Sequence, residues 1–457
     1  MKYLLTILTL MFCLLNQVNA QVEPGAGKWK TWFIHSVKDH RLPSPPANQK
    51  EIQEVLSLQR NLTTQMTDTA WQQVLYWNAG APGYRWRNMM NNLWRYDTSY
   101  NGILANMLLN TAIYDAIIAA WDSKYVFDRP HPFEVDKRIK LLIPHPGSPS
   151  YPCEHSVAAG VAATIISHFY PKLSDSVNKM ARQAMRSRIQ AGVAFPSDTQ
   201  KGFELGKKIA LKEIEHTKGF LPNMVWDGKM PEQKGSWKGK PLFPLAGKIK
   251  TILLDSGSQF RPGPPPDFAR DMEELRNFKP NFRSMANAFH YASQSEDVLG
   301  QKIFEYTLHL NPPRAAGLYA IDAIATYDGF IACWDAKYAY WGTRPDQYDS
   351  SFKPVLFFSP PFPGYPSGHA MIGGVNAEIY SYFFPADRAY FMKRAIDGAE
   401  SRFQGGIHFR TDNEVGLDMG RKVGLAIIEK LKKEMDGEMV RGPLGTSGGQ
   451  NRIGNRQ

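Results

Sequence analysis

Residues 112–125 read Ala-Ile-Tyr-Asp-Ala-Ile-Ile-Ala-Ala-Trp-Asp-Ser-Lys-Tyr, and residues 325–338 read Ala-Thr-Tyr-Asp-Gly-Phe-Ile-Ala-Cys-Trp-Asp-Ala-Lys-Tyr. Trp121 and Trp334 lie 213 positions apart. The correspondence continues in order. Arg129-Pro130 recurs as Arg344-Pro345 at an offset of 215, and Pro152-Cys153-Glu154-His155 as Pro366-Ser367-Gly368-His369 at 214. Ser187-Arg188-Ile189-Gln190 recurs as Ser401-Arg402-Phe403-Gln404, and Asp198 as Asp412, both again at 214. Matches in one order at nearly one offset mark an internal repeat, which confines the 457 residues to two tandem units of similar build. The expected division is a first repeat over 21–220, a linker over 221–243 where Gly, Lys, Pro and Trp crowd together, and a second repeat over 244–436. A Gly-, Ser-, Asn- and Arg-rich tail over 437–457 follows.

Within the second repeat, 318–341 is Ala-rich with few breakers, and 370–384 and 386–403 have the same character. Thr411-Asp412-Asn413-Glu414 has the pattern of a capping box opening a helix that runs to about Met435, and Ser197-Asp198-Thr199-Gln200 stands at the matching place in the first repeat. No series of alternating strands is visible. The expected fold class is all-α: two tandem helical bundles from an internal duplication, related by a pseudo-twofold axis.

The first twenty residues have the form of a secretory signal. Lys2 precedes the apolar run from Leu4 to Leu15, and Val18-Asn19-Ala20 ends it in small residues, with cleavage expected before Gln21. Cys13 has bulky neighbours, unlike a lipid-attachment cysteine, so a soluble periplasmic or secreted chain is expected. No later stretch reaches 18 uninterrupted apolar residues; even 103–121 carries Asn106, Asn110 and Asp115, so no integral span is expected. The net charge of +11 attracts anions. Its Lys and Arg residues form no long run, which argues against nucleic acid as partner. Cys153 and Cys333 fall at different places in the two repeats and are expected to be free thiols. No closely spaced Cys/His set points to zinc or heme.

Three segments of the second repeat carry chemistry: Lys337 with Arg344-Pro345, then Tyr365-Pro366-Ser367-Gly368-His369, then Ser401-Arg402 with His408 and Asp412. A tetrahedral oxyanion wants fixed cations; Arg offers planar bidentate donation and Lys a compact charge. Ser367 and Gly368 precede a helix, where free backbone N–H groups and the helix dipole favour an anion. Two histidines add a nucleophile and a proton donor, and Asp412, four residues after His408, can fix its tautomer.

Together these segments resemble the signature of the superfamily uniting type 2 phosphatidic acid phosphatases, bacterial non-specific acid phosphatases and vanadium-dependent haloperoxidases. Residues 334–338, 362–370 and 406–412 are closest in wording to the haloperoxidase branch. The resemblance implies an oxyanion held by Lys337, Arg344, Ser367, Gly368 and Arg402. It implies His408 as the phosphate nucleophile or the residue bonded to vanadium, and His369 as acid–base. Two activities follow from the same cradle: a vanadate-dependent peroxidase acting on peroxide plus halide, or a phosphomonoesterase working through a phosphohistidine with no cofactor. A non-catalytic anion binder is a third reading, disfavoured because simple binding needs no pair of histidines. The first repeat departs from the pattern. Only four residues separate Lys124 from Arg129, Cys153-Glu154 replaces Ser-Gly, and Ala194 stands where His408 stands. It is expected to be catalytically dead and structural.

Overall fold

The computed structural model describes residues 22–64, 68–221, 223–233, 235–293, 297–435 and 439. The signal sequence and almost all of the tail read above lie outside them. Among the described residues there is no β-strand, only an isolated antiparallel bridge between Ser236 and Gly342. The longer helices are α1 (Ile52–Thr64), α2 (Asp68–Asn78), α3 (Tyr84–Arg95) and α4 (Asn101–Phe127), followed by the single turn α5 (Pro132–Val135). Next come α6 (Glu154–Phe169), α7 (Ser174–Gln190), α8 (Pro196–His216), α9 (Ala269–Asn277), α10 (Phe282–Ser293) and α11 (Val298–Glu305). The chain closes with α12 (Pro312–Tyr340), the single turn α13 (Pro345–Tyr348), α14 (Gly368–Phe383), α15 (Arg388–Gln404) and α16 (Arg410–Glu434). The all-helical class is as the sequence predicts.

Two compact units emerge from the contacts. The first comprises residues up to Leu93, Leu108–His216 and Val298–Ala320; the second comprises Trp94–Met107, Thr217–Asp297 and the chain from Ile321 onward. Helix α4 is apolar enough to cross a membrane by length and composition, but its apolar window is entirely buried, so that apolarity serves the protein core.

In the first unit α6 packs along α8, and in the second α14 packs along α16. Glycine makes both crossings close. A Cβ on Gly206 would come within 2.0 Å of the Val157 carbonyl oxygen, and one on Gly420 within 2.0 Å of the Met371 oxygen. No side chain fits there, and the backbones touch because none is present. Each unit also has an apolar cluster: Ile52, Val55, Ile139, Ile189 and Phe195 in the first, and Phe268, Met272, Leu275, Tyr365, Phe403 and Phe409 in the second. The Phe268 and Phe409 rings stack at 4.2 Å.

A buried aspartate in each long helix ties down an upstream strap. Asp115 accepts the backbone N–H groups of Trp32, Phe33 and Ile34; Asp328 accepts those of Ile252, Leu253 and Leu254. Arg41 pairs with Asp122 in the first unit, as Arg261 does with Asp335 in the second. The likeness between units thus begins well before the repeated phrase.

Two local expectations need correction. α12 starts at Pro312, earlier than 318, and Pro suits a first-turn position whose N–H has no helical acceptor. α16 opens at Arg410, with Phe409 rather than Thr411 at the N-cap. Asp412 Oδ2 accepts the Phe409 N–H at 3.1 Å, and Thr411 is already taken: its N–H and hydroxyl both donate to Asp271. The 221–243 stretch has no helix among its described residues, and it is fastened rather than loose. Trp237 is buried and donates its N–H to the Trp341 oxygen at 2.7 Å, and the Leu242 oxygen accepts from Trp334 Nε1 and Tyr338. Cys153 and Cys333 are free and buried.

Candidate active site

All eight residues singled out in the second repeat lie in the second unit, at or beside the ends of helices α12 to α16. Lys337 sits in the last turn of α12, wholly buried, and its ammonium donates to the carbonyls of Pro363, Gly364 and Pro366 at 2.8, 2.9 and 2.6 Å. The Phe-Pro-Gly-Tyr-Pro stretch is therefore a collar around the lysine. Gly364 is required there: a Cβ would lie 2.7 Å from the Thr343 oxygen.

Arg344, the N-cap of α13, is also fully buried. Its Nε donates to Phe362 O at 3.1 Å, and Nη1 donates to Ile407 O at 2.7 Å and to His408 Nε2 at 3.0 Å. Its Nη2 has no partner. Arg402, near the end of α15, donates from Nε to Ser401 Oγ and from Nη2 to the Ala288 oxygen of α10, both at 3.0 Å. The Phe362 ring lies 5.3 Å from Lys337 Nζ and 5.1 Å from Arg344 Cζ. Phe362 and the carbonyls of α10 and the collar are contributors that the sequence motif does not mark. The run Phe362-Pro363-Gly364 is the only hint of the collar, and nothing signals Ala288.

Ser367 caps α14, and its buried hydroxyl has no partner. Gly368 is the first residue of that helix, so its N–H and that of His369 have no acceptor in the helix. His408 Nδ1 lies 3.0 Å from Asp412 Oδ2, and both residues are buried. A neutral imidazole fits: Nδ1–H donates to the carboxylate, and the Nε2 lone pair accepts from Arg344. The His369 side chain is open to solvent, beside the same cations.

The electrostatics follow from burial, with Asp412 as a nearby carboxyl but no direct ion pair on the cations. Among the described residues no carboxylate forms an ion pair with Lys337, Arg344 or Arg402. Desolvation draws Lys337 down to about 8, with Arg344 adding to the effect, and draws Arg344 and Arg402 down to about 10. Burial, then Arg344, Lys337 and Arg402, hold His408 well below its ordinary value, and desolvation with Arg402 lowers His369. Desolvation raises Asp412 to about 7, against the pull of Lys337 and Arg344. A cluster of three buried cations, a guanidinium nitrogen and a hydroxyl without partners, and a helix N-terminus suits an anion with several oxygens. Tetrahedral phosphate and vanadate both meet that need.

The first unit departs at several corresponding places. Lys124 pairs with Glu154 at 2.9 Å. Arg129 turns away to Asp198 and Glu51. With Ala194 in place of an imidazole, Asp198 takes its charge partner from Arg129 instead.

This is the fold of the vanadium-dependent haloperoxidases. A bacterial vanadium-dependent iodoperoxidase matches 76% of this chain and 95% of its own, with a TM-score of 0.54 at 21% identity. A bacterial vanadium-dependent chloroperoxidase in holo form covers 74% of this chain and 92% of its own (TM-score 0.53, 14% identity), and an apo form covers 76% and 95% (0.51, 13%). No protein-family model matches the chain, and no curated protein is similar to it in sequence.

Proposed function

We propose that the chain is an exported enzyme of the haloperoxidase and phosphatidic acid phosphatase superfamily, and that its second unit holds vanadate and oxidises a halide or another small reductant with peroxide. The observation that carries this reading is the set of three buried cations with no carboxylate partner, arranged around His408. Lys337, Arg344, Arg402, Ser367 and the Gly368 N–H would hold the oxygens, and His408 Nε2 would bond to vanadium. Bound vanadate would supply the Lewis acidity that renders peroxide electrophilic.

The chain's own residues do the rest. Asp412 keeps the proton on His408 Nδ1, so that Nε2 presents a lone pair. Arg344 lies against that lone pair; an anion in the cradle would offer the guanidinium a stronger acceptor and free Nε2. His369, reachable by solvent, exchanges protons with what binds in the cradle. Desolvation and then Arg402 lower its pKa, and a bound anion's negative charge opposes the second of these, raising it. The first unit, with no imidazole at Ala194, plays a structural part, and we take both units to descend from one ancestral bundle.

The same geometry supports a phosphomonoesterase. There His408 Nε2 attacks phosphorus, His369 gives a proton to the departing alcohol oxygen, and water then cleaves the phosphohistidine. The exposed His369 beside a nucleophile-ready His408 favours keeping this second reading. The deciding assay uses the mature chain stripped of phosphate. Peroxide-driven bromination or iodination that depends on added vanadate and is lost in His408→Ala supports the peroxidase. Ester hydrolysis inhibited by vanadate, without halogenation, overturns it in favour of the phosphatase.

A further inference from the structure

The first unit has a cavity of its own where the second has its oxyanion cradle. Its volume is about 130 Å³, and all its lining residues belong to that unit. Cys153, Glu154, His155 and Arg188 face it, the counterparts of Ser367, Gly368, His369 and Arg402.

The charges differ from those of the second unit in a way that defines a different ligand. The Glu154 carboxylate lies between Lys124 Nζ, at 2.9 Å, and His155 Nδ1, at 3.3 Å. Lys124 and His155 hold Glu154 ionised although burial opposes it. It stands where an oxyanion would sit, and it neutralises Lys124 from within. A phosphate dianion would meet this carboxylate and be repelled.

One cation is left over. Arg188 is 1% exposed and donates only to neutral groups: Asn78 Oδ1 at 3.0 Å, Ser187 Oγ at 3.1 Å and Val74 O at 3.3 Å. A guanidinium has five N–H groups, so donors remain. His155 Nε2 is buried with no partner. The cavity thus carries a single uncompensated positive charge. The remaining wall is mixed: Ile143, Leu310 and several prolines give it an apolar side, and His131, His145, Ser150 and His309 give it a polar one. Cavities of roughly 150 Å³ admit a benzene-sized ring.

We propose that the first unit is a binding site for a small organic monocarboxylate, its carboxylate on the spare N–H groups of Arg188 and its apolar body against Ile143 and the surrounding prolines. Glu154 acts there as a built-in anion that excludes phosphate and vanadate. The site is independent of the function assigned to the second unit and holds whether that unit is a peroxidase or a phosphatase.

Benzoate titrated calorimetrically into the mature full-length chain tests this, with benzamide as the uncharged match in shape. The expected result is one benzoate per chain, undisturbed by saturating phosphate and retained in His408→Ala. Benzamide should bind at least about tenfold more weakly, for want of a charge-assisted hydrogen bond. Arg188→Met should lose benzoate; because that side chain is buried and the variant can fail to fold, Ile143→Trp serves as a second test. It fills the cavity while leaving Arg188 and its partners in place, and should weaken benzoate by at least about tenfold through exclusion. Absence of binding at millimolar benzoate, equal affinity for benzamide, displacement by phosphate, or undiminished binding in Ile143→Trp would each overturn the proposal.

Discussion

Replacing His408 with alanine removes the imidazole that Asp412 orients and Arg344 covers, but leaves all three cations in place. Turnover should fall to background while phosphate still binds within a few-fold of the parent. His369→Ala should cost about 10²- to 10⁴-fold in kcat, the usual range for a positioned acid–base group. Steady-state kinetics beside calorimetric phosphate titration separates these effects, and near-parental turnover in His408→Ala would remove it from the mechanism. Lys337 makes a pH prediction. Its pKa is drawn down to about 8 by burial, and a bound anion raises it. Above pH 8 binding must therefore recruit a proton, and phosphate affinity should fall with rising pH, by up to about tenfold per unit. Phosphate's own second ionisation is complete in that window. Lys337→Met should bind more weakly and lose this slope; an unchanged slope would place the titrating group elsewhere. At this scale the site was legible because oxyanion binding needs particular residue types at helix ends, and these recur in order. The carbonyl collar around Lys337 and the Ala288 oxygen under Arg402 were not, since backbone acceptors carry no side-chain signature.

The helices place these groups through two devices that a motif search passes over. α14 and α16 cross at a glycine contact, and Gly420→Ala would force its Cβ against the Met371 oxygen. Overpacking of that kind should destabilise the protein by about 1–3 kcal/mol and displace the start of α14, where Ser367 and Gly368 sit. Urea unfolding with an activity assay reads both effects; full stability and activity would mean the crossing has slack. Asp328 holds three backbone N–H groups that no other acceptor replaces, and burial raises its pKa to about 6. Asp328→Ala strands those donors and should cost about 3 kcal/mol or more. A change under about 1 kcal/mol would show that water satisfies the strap. Asp115 and Asp328 were visible as part of the repeated phrase, but their partners 74–83 residues upstream were not read with them: the straps do match, Ala26-Gly27-Lys28 and Lys30-Thr31 recurring as Ala246-Gly247-Lys248 and Lys250-Thr251, but at an offset of 220 rather than 214. The capping shift at α16 has a similar origin: Thr411 has the pattern of a cap, and only the packing of α9 shows Asp271 claiming it.

Across the whole molecule, the two units use one order of elements for opposite purposes. The first neutralises itself, with Glu154 against Lys124 and Asp198 against Arg129. The second leaves Lys337, Arg344 and Arg402 uncompensated, which costs stability until an anion arrives. Helical patterning in the sequence showed the all-helical class, and the repeated pattern led to the expectation of two tandem units. It did not reveal how the contacts group, because parts of α4 and α12 and the 298–311 stretch cluster apart from their sequence neighbours, and periodicity records helix formation rather than packing partners. Export predicts a secreted or periplasmic mature chain beginning at Gln21, which mass spectrometry of the protein from its native source would check; an uncleaved N-terminus would contradict it. The central claim concerns the second unit's cradle, and calorimetric titration of phosphate into the phosphate-stripped mature chain tests it most directly. One phosphate bound per chain, lost in Arg402→Ala and unaffected by Arg188→Lys, is the predicted result. No binding, or binding that survives loss of Arg402, would contradict it.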